Sequence, residues 1–419
     1  AHYLLMSDSP GRFDAAEIVL LRAVETVDMM DGTSREAAVA QALALMRQHG
    51  AQDGDVVGLL ALRGIADYMQ RPQEWSRSMR VAYQAALVSG RREKVVQLLR
   101  VMSRNRQFAT ATVEGDEFRS IAMELLRDTT LTPRDLATVR AGVAFHEASR
   151  YSPELARILI NHSLVTASSL DDGDLEWWIL RSMISVESTS REFEDLAERL
   201  VERATPRGDL AAAFEAKLYL VCARMRRREI TFRDPVFDEL RAMGSNGRSM
   251  YVRAQWMFTD WLRRRATGDE AGAARILAAL RAVGGAMPLV VLVIELRERL
   301  ASADFLDLDP GPLLGDPTRW GSDVSIDLFL YQLSVASSAG DLEAVRRGLA
   351  TITEPVIAGR NSAMSQVRLP QLTLLVHRLG DPKIAARLLE LHLPMAGIDL
   401  CVLPGGDYGP VEHYLAHLA

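Results

Sequence analysis

Apolar residues recur three and four positions apart along this chain, in one segment after another, with short polar and glycine-containing breaks between segments. That period belongs to α-helices that bury one face. From Thr189 to Val201, Phe193, Leu196, Ala197, Leu200 and Val201 form a single stripe. Thr189 and Glu192 supply the T-x-x-E spacing in which each side chain satisfies a free amide at a helix start, and Pro206 and Gly208 end the element. By the same grammar, Asp14 and Glu17 predict a capped helix carrying Leu20, Val24 and Val27, and Thr33 and Glu36 predict one carrying Val39, Leu43 and Met46. Proline after Thr132 and after Ser152 marks two first turns. These lie ahead of Leu136, Val139 and Val143, and of Leu155, Ile158 and Leu159.

The breaks share a logic of their own. Gly90, Gly268, Gly340 and Gly380 are each followed by a polar residue and then by small apolar residues. A glycine can end one helix in the left-handed conformation, and the next polar side chain can cap the following helix. This pattern is a mark of tetratricopeptide-like helical hairpins, whose period is roughly 34 residues and of which about ten pairs would fill the chain. No single copy meets the full consensus. The predicted fold is therefore all-α, a right-handed α-solenoid of degenerate tetratricopeptide-like hairpins.

One segment interrupts the pattern. Ser302 to Asp323 holds six Pro and Gly residues and five aspartates, which cannot sustain helical hydrogen bonding. We place the main boundary there: residues 1–301 as the principal array, 302–323 as a surface loop, and 324–419 as a C-terminal helical block. A second Pro/Gly cluster, Leu403 to Pro410, precedes the last helix.

Composition adds limits. The 419 residues are 48% hydrophobic and 25% charged, the balance of a folded chain. The net charge of −6 argues against a protein built to coat nucleic acid. The longest apolar run, Ala286 to Leu296, is broken by Pro288 and too short to span a bilayer. Two cysteines, Cys222 and Cys401, give neither a disulfide framework nor a zinc site, and fit a reducing cytoplasm. Both chain ends read as helix interior, so we expect a piece of a longer polypeptide, with Met6 as a genuine start the alternative.

Catalytic signatures are missing from the sequence. Only Lys94, Lys217 and Lys383 occur among 49 basic residues and none follows a glycine, so there is no phosphate-binding G-K-[ST] loop. Gly405, Gly406 and Gly409 have the wrong spacing for a dinucleotide fingerprint and follow no convincing strand. His146-Glu147 opens an H-E-x-x-H motif that Arg150 fails to complete. His413 and His417 could share a metal across one helical turn, but no third ligand is evident. Asp304, Asp307 and Asp309 lack the register of a calcium loop. We expect no enzyme activity, no cofactor and no bound metal.

The one local charge anomaly runs from Lys217 to Arg265, where twelve basic residues face five acidic ones and aromatics are interleaved. Arg226, Arg227, Arg228, Arg253, Trp256 and Arg264 are candidate contacts for an acidic partner. The competing explanation is arginines meeting helix C-terminal dipoles beside core tryptophans. Trp177, next to Trp178, is a further contact candidate, because adjacent helical residues cannot both face the same core.

Two stretches carry a family resemblance. Ala1-His2-Tyr3-Leu4-Leu5 is similar to the A-H-x-L-L stretch where the ATPase half of large bacterial regulators meets their helical repeats. Gly405 to Ala419 resembles the G-x-V-x-x-Y-L-x-x-L-A element of the same proteins. These are the LuxR-type large ATP-binding regulators and the related adenylate or guanylate cyclase–ATPase fusions. The resemblance implies a non-catalytic signal-sensing and protein-interaction arm that controls a P-loop ATPase outside this chain, with a small-molecule inducer as one signal. Its partner would be a protein or peptide, including the ATPase domain of the same polypeptide, in the cytoplasm and not at a membrane or on nucleic acid. The alternative is a free-standing scaffold or adaptor for a peptide or protein.

Overall fold

A computed structural model describes residues 1–25, 32–70, 75–104, 113–150, 153–183, 191–206, 210–246, 250–284, 329–334, 336–337, 339–358, 365–402 and 406–419. These residues are almost wholly α-helical. Ser302–Asp323 and the Ala286–Leu296 run lie outside the described residues. No helix among the described residues is long and apolar enough to cross a membrane.

The first fifteen helices are α1 (His2–Leu5), α2 (Arg12–Glu25), α3 (Gly32–Gln48), α4 (Val57–Gln70), α5 (Trp75–Val88), α6 (Arg92–Arg104), α7 (Val113–Leu125), α8 (Pro133–Arg150), α9 (Pro153–Ser169), α10 (Gly173–Met183), α11 (Arg191–Ala204), α12 (Leu210–Arg226), α13 (Val236–Asn246), α14 (Met250–Ala266) and α15 (Glu270–Gly284). The C-terminal part holds α16 (Leu342–Ala358), α17 (Ser365–Leu379), α18 (Pro382–His392), strands β1 (Asp399–Val402) and β2 (Gly406–Pro410), and α19 (Val411–Leu418).

Helices α1 to α5 each pack on their successor, and so do α7 to α14. Helices α2, α4, α6, α8 and α10 also touch one another in series, as do α12 and α14. The pattern of residues explains this second set of contacts. In α4, Val57, Leu59, Leu60, Ala61, Leu62, Ile65 and Ala66 are all buried. In α12, Ala212, Phe214, Ala216, Leu218, Val221, Cys222 and Met225 are buried. A helix apolar around most of its circumference must lie between neighbours. One hydrophobic core runs from Leu5 to Leu280, and a second from Leu330 to Leu388.

The predicted turns and caps form where they depend on local residues. Gly268 and Gly380 adopt φ of +83° and +71°, and the aspartates after them accept from the Gly272 amide at 2.9 Å and the Lys383 amide at 3.0 Å. Thr132 Oγ1 accepts from the Asp135 amide at 3.1 Å, starting α8 at Pro133. The capping box at Thr189 falls outside the described residues, while Ala197 and Leu200 of its stripe are fully buried.

Three expectations are corrected. Glu17 does not cap its own helix. It lies inside α2 and accepts from the Gly58 and Leu59 amides at 2.7 and 3.3 Å, so it caps α4 instead. Ile158 faces outward and is 53% exposed, while Leu159 beside it is buried. Gly406 and Gly409 do follow a strand and lie in a second one: β1 and β2 pair antiparallel, with a register irregularity between Leu400 and Cys401.

Candidate functional site

The arginine-rich region expected to face a partner begins at the end of α12. Arg226 is buried, at 4% exposure, and Trp256 is buried on α14 at 6%. Neither belongs to an open contact surface, which corrects two of the candidates. Trp177 is half-buried and packs against both the main core and the small cluster of Ala204, Ala212 and Ala213. Arg253 is exposed on α14.

Several of the other arginines are engaged by carboxylates of their own or neighbouring elements. Arg224 donates to Glu194 of α11 at 2.9 Å. Arg227 pairs with the same Glu194, and with Glu229 at 2.7 Å. Arg264 spans Asp260 at 2.8 Å and Asp269 at 2.6 Å, and Arg263 joins the same Asp260, which is buried. Hydrogen bonding, first to Glu229 for Arg227 and first to Asp260 for Arg264, holds both guanidinium groups firmly charged. Part of the positive excess seen along the sequence is thus offset by acidic residues, both local ones and Glu194 of α11.

Arg228 differs from these. It takes a left-handed φ of +61°, a conformation that costs a residue other than glycine about 1 kcal/mol or more. That turn directs its guanidinium toward the C-terminal segment. Nε donates to Asp399 of β1 at 2.8 Å and Nη2 to Glu412 of α19 at 2.8 Å. Glu412 also accepts from the Gly397 amide at 2.9 Å. Its carboxyl is held below the usual range by its own backbone amide and by Arg228. One arginine therefore ties the end of α12 to the strand and the last helix of the C-terminal block, which also meet where α12 contacts β1.

The seat of α19 contains a group that sequence spacing did not predict. His413 and His417 are in ring contact at 4.7 Å, as their helical spacing implied. The structure adds His377 of α17, 4.4 Å from His417 between ring centroids, with its Nδ1 2.8 Å from the His417 carbonyl oxygen. Beneath α19, His392 at the end of α18 is fully buried, stacks on Tyr414 at 6.0 Å, and lies 3.0 Å from Thr373 Oγ1 through Nε2. Desolvation lowers His392 to a pKa of about 4. Four of the chain's eight histidines meet this one short helix. Among the described residues, no group of three or more histidine, cysteine or carboxylate side chains is arranged to hold a metal ion. His417 is in ring contact with both His377 and His413, while His392 stacks on Tyr414.

A second buried polar centre lies near the other end of the array. Lys94 of α6 reaches Glu17 at 2.7 Å, Asp14 at 2.9 Å and the Asp55 carbonyl at 3.0 Å. Arg91 joins through Asp14 and Asp55. Burial is the largest influence on Glu17 and lifts its carboxyl above the ordinary value, against the pull of Lys94 and the two α4 amides. Every charge in this cluster has a partner, so its evident role is to hold α2, α4 and α6 in register.

The chain matches no family model, and the search of curated proteins returns no match.

Proposed function

We propose that this chain is a signal-sensing and protein-interaction arm, a right-handed α-solenoid of degenerate tetratricopeptide-like hairpins that controls a bacterial P-loop ATPase located outside it. The observation that carries the reading is the two-fold pattern of helix contacts. Helices α1 to α5 and α7 to α14 each pack on their successor, and alternate helices from α2 to α10 touch in series. Stacked hairpins of this kind bury a continuous core and present a long face for binding. The Ala1–Leu5 and Gly405–Ala419 stretches add the regulator resemblance. Contacts with a partner use exposed positions such as Arg253, and not the buried Arg226 or Trp256.

The test is a reconstitution. The P-loop ATPase proposed as its partner is purified without this chain, and its ATP hydrolysis is measured with this chain added in increasing amounts. A saturable, severalfold change in rate is expected. A rate indifferent to the chain, in a mixture where a direct complex nevertheless forms, leaves the free-standing scaffold as the better reading.

A further inference from the structure

We propose that the seat of α19 is a proton-operated latch: neutral imidazoles at 392 and 417 hold the last helix and its hairpin in place, and protonation releases them from α17 and α18 and loosens the Arg228 tie to α12.

The geometry supplies both halves of such a device. His392 is at 0% exposure under Tyr414, and its Nδ1 has no hydrogen-bond partner. A proton there would place a charge and an unmet donor in a dry contact, which is costly unless the contact opens. The outer trio behaves differently. His377 Nδ1 faces the His417 carbonyl at the C-terminal end of α19. His417 touches both other rings, so a second proton meets charge on His377 or His413. Desolvation, and then those two neighbours, depress His417 accordingly.

Among the described side chains, the groups against α19 include His377 of α17, His392 of α18 and Arg228 just beyond α12. Asp399 and Glu412 are both taken up by Arg228. Among the described residues no carboxylate pairs with any of the four imidazoles. The apolar part of the seat consists of Leu400, Val411 and Tyr414 with Met395, Ile398 and Leu415 around them, and Leu418 packs against the C-terminal core. A helix of only eight residues can be shifted by one or two protons.

The linkage sets the size of the effect. Going from pH 7.5 to 5.5, a histidine that titrates near 6.5 when released but near 4 when docked shifts the release equilibrium by about tenfold. His417 adds to that factor.

The experiment is hydrogen exchange by mass spectrometry on the full chain at pH 7.5 and 5.5, corrected for intrinsic exchange, with the peptide covering α4 as the folding control. Exchange of the peptide covering 411–418 should rise at least tenfold at pH 5.5 while α4 stays protected. In His392→Gln combined with His417→Gln, that pH dependence should disappear. Glu412→Gln removes one side of the arginine tie but none of the imidazoles. It should exchange faster at both pH values and keep the acid response. Any of three results overturns the latch: equal protection of 411–418 at both pH values, an acid response that survives in the double histidine variant, or a loss of protection in α4 that parallels that of α19.

Discussion

Lys94 Nζ lies 2.7 Å from Glu17 Oε2, with the lysine at 1% exposure and the glutamate at 0%. One of only three lysines in the chain is thus spent inside the core. Its carboxylate partner also caps α4, so the pair joins three helices through a single contact.

Removing one partner should therefore cost more than removing both. Lys94→Met leaves Glu17 charged and unpaired in the interior and should lower stability by about 3–5 kcal/mol. Adding Glu17→Gln removes the charge but keeps an acceptor for the Gly58 amide, and should recover more than half of that loss. Thermal unfolding followed by circular dichroism compares the three proteins. A double variant no more stable than Lys94→Met would show that the pair is not an isolated charge balance.

Gly244 of α13 faces Trp256 so closely that an added Cβ would lie 2.3 Å from the tryptophan Cβ. Neither atom can swing aside. Gly244→Ala should force α13 and α14 apart and lower stability by about 1–3 kcal/mol. Thermal denaturation reads this out, and an unchanged midpoint would mean that the two helices are not in close contact in solution.

Arg264 separates internal pairing from a contact role. It spans Asp260 and Asp269, and Asp260 is buried. Arg264→Glu places like charges together and should lower the melting temperature clearly. Arg253→Glu, on the exposed face of the same helix, should leave the folding free energy within about 0.5 kcal/mol of the parent. Equal effects from the two reversals would contradict the pairing.

His392 gives a pH dependence of fixed sign. Its pKa in the folded chain is lowered from 6.5 to about 4, so the unfolded state binds the extra proton. The contribution to stability is complete above pH 6.5 and is lost as pH falls from there to about 4. Its full size is on the order of 3 kcal/mol. Denaturant midpoints measured from pH 7.5 to 4 should fall in that window, and His392→Gln should flatten the decline.

How much of this was legible in the sequence depends on distance along the chain. Turns at Gly268 and Gly380 and the start of α8 at Thr132-Pro133 need only residues a few positions apart, and all of them formed as read. Glu17 carried the spacing of a cap, but its target lies 41 residues away, and spacing carries no information about that. Arg228 looked like one more basic residue because Asp399 and Glu412 are 171 and 184 residues distant. The i, i+4 pair His413 and His417 was visible, while His377 joins it only through the packing of α17 on α19. Strands β1 and β2 went unread because they are four and five residues long beside a Pro/Gly cluster, and strands that short carry little alternation.

The chain's lack of a phosphate-binding lysine leads to a direct binding prediction. Titration calorimetry with Mg-ATP should show no micromolar association, and no phosphate release should follow. Saturable binding with a dissociation constant in the micromolar range would place a nucleotide site within the array itself.

The most direct test of the central claim, that stacked hairpins form an extended binding arm, is the radius of gyration in solution. A compact globule of this length would give about 22 Å. Small-angle X-ray scattering on the monomeric chain should give a value clearly above that, with an asymmetric distance distribution. A radius near 22 Å with a symmetric distribution would contradict the arm.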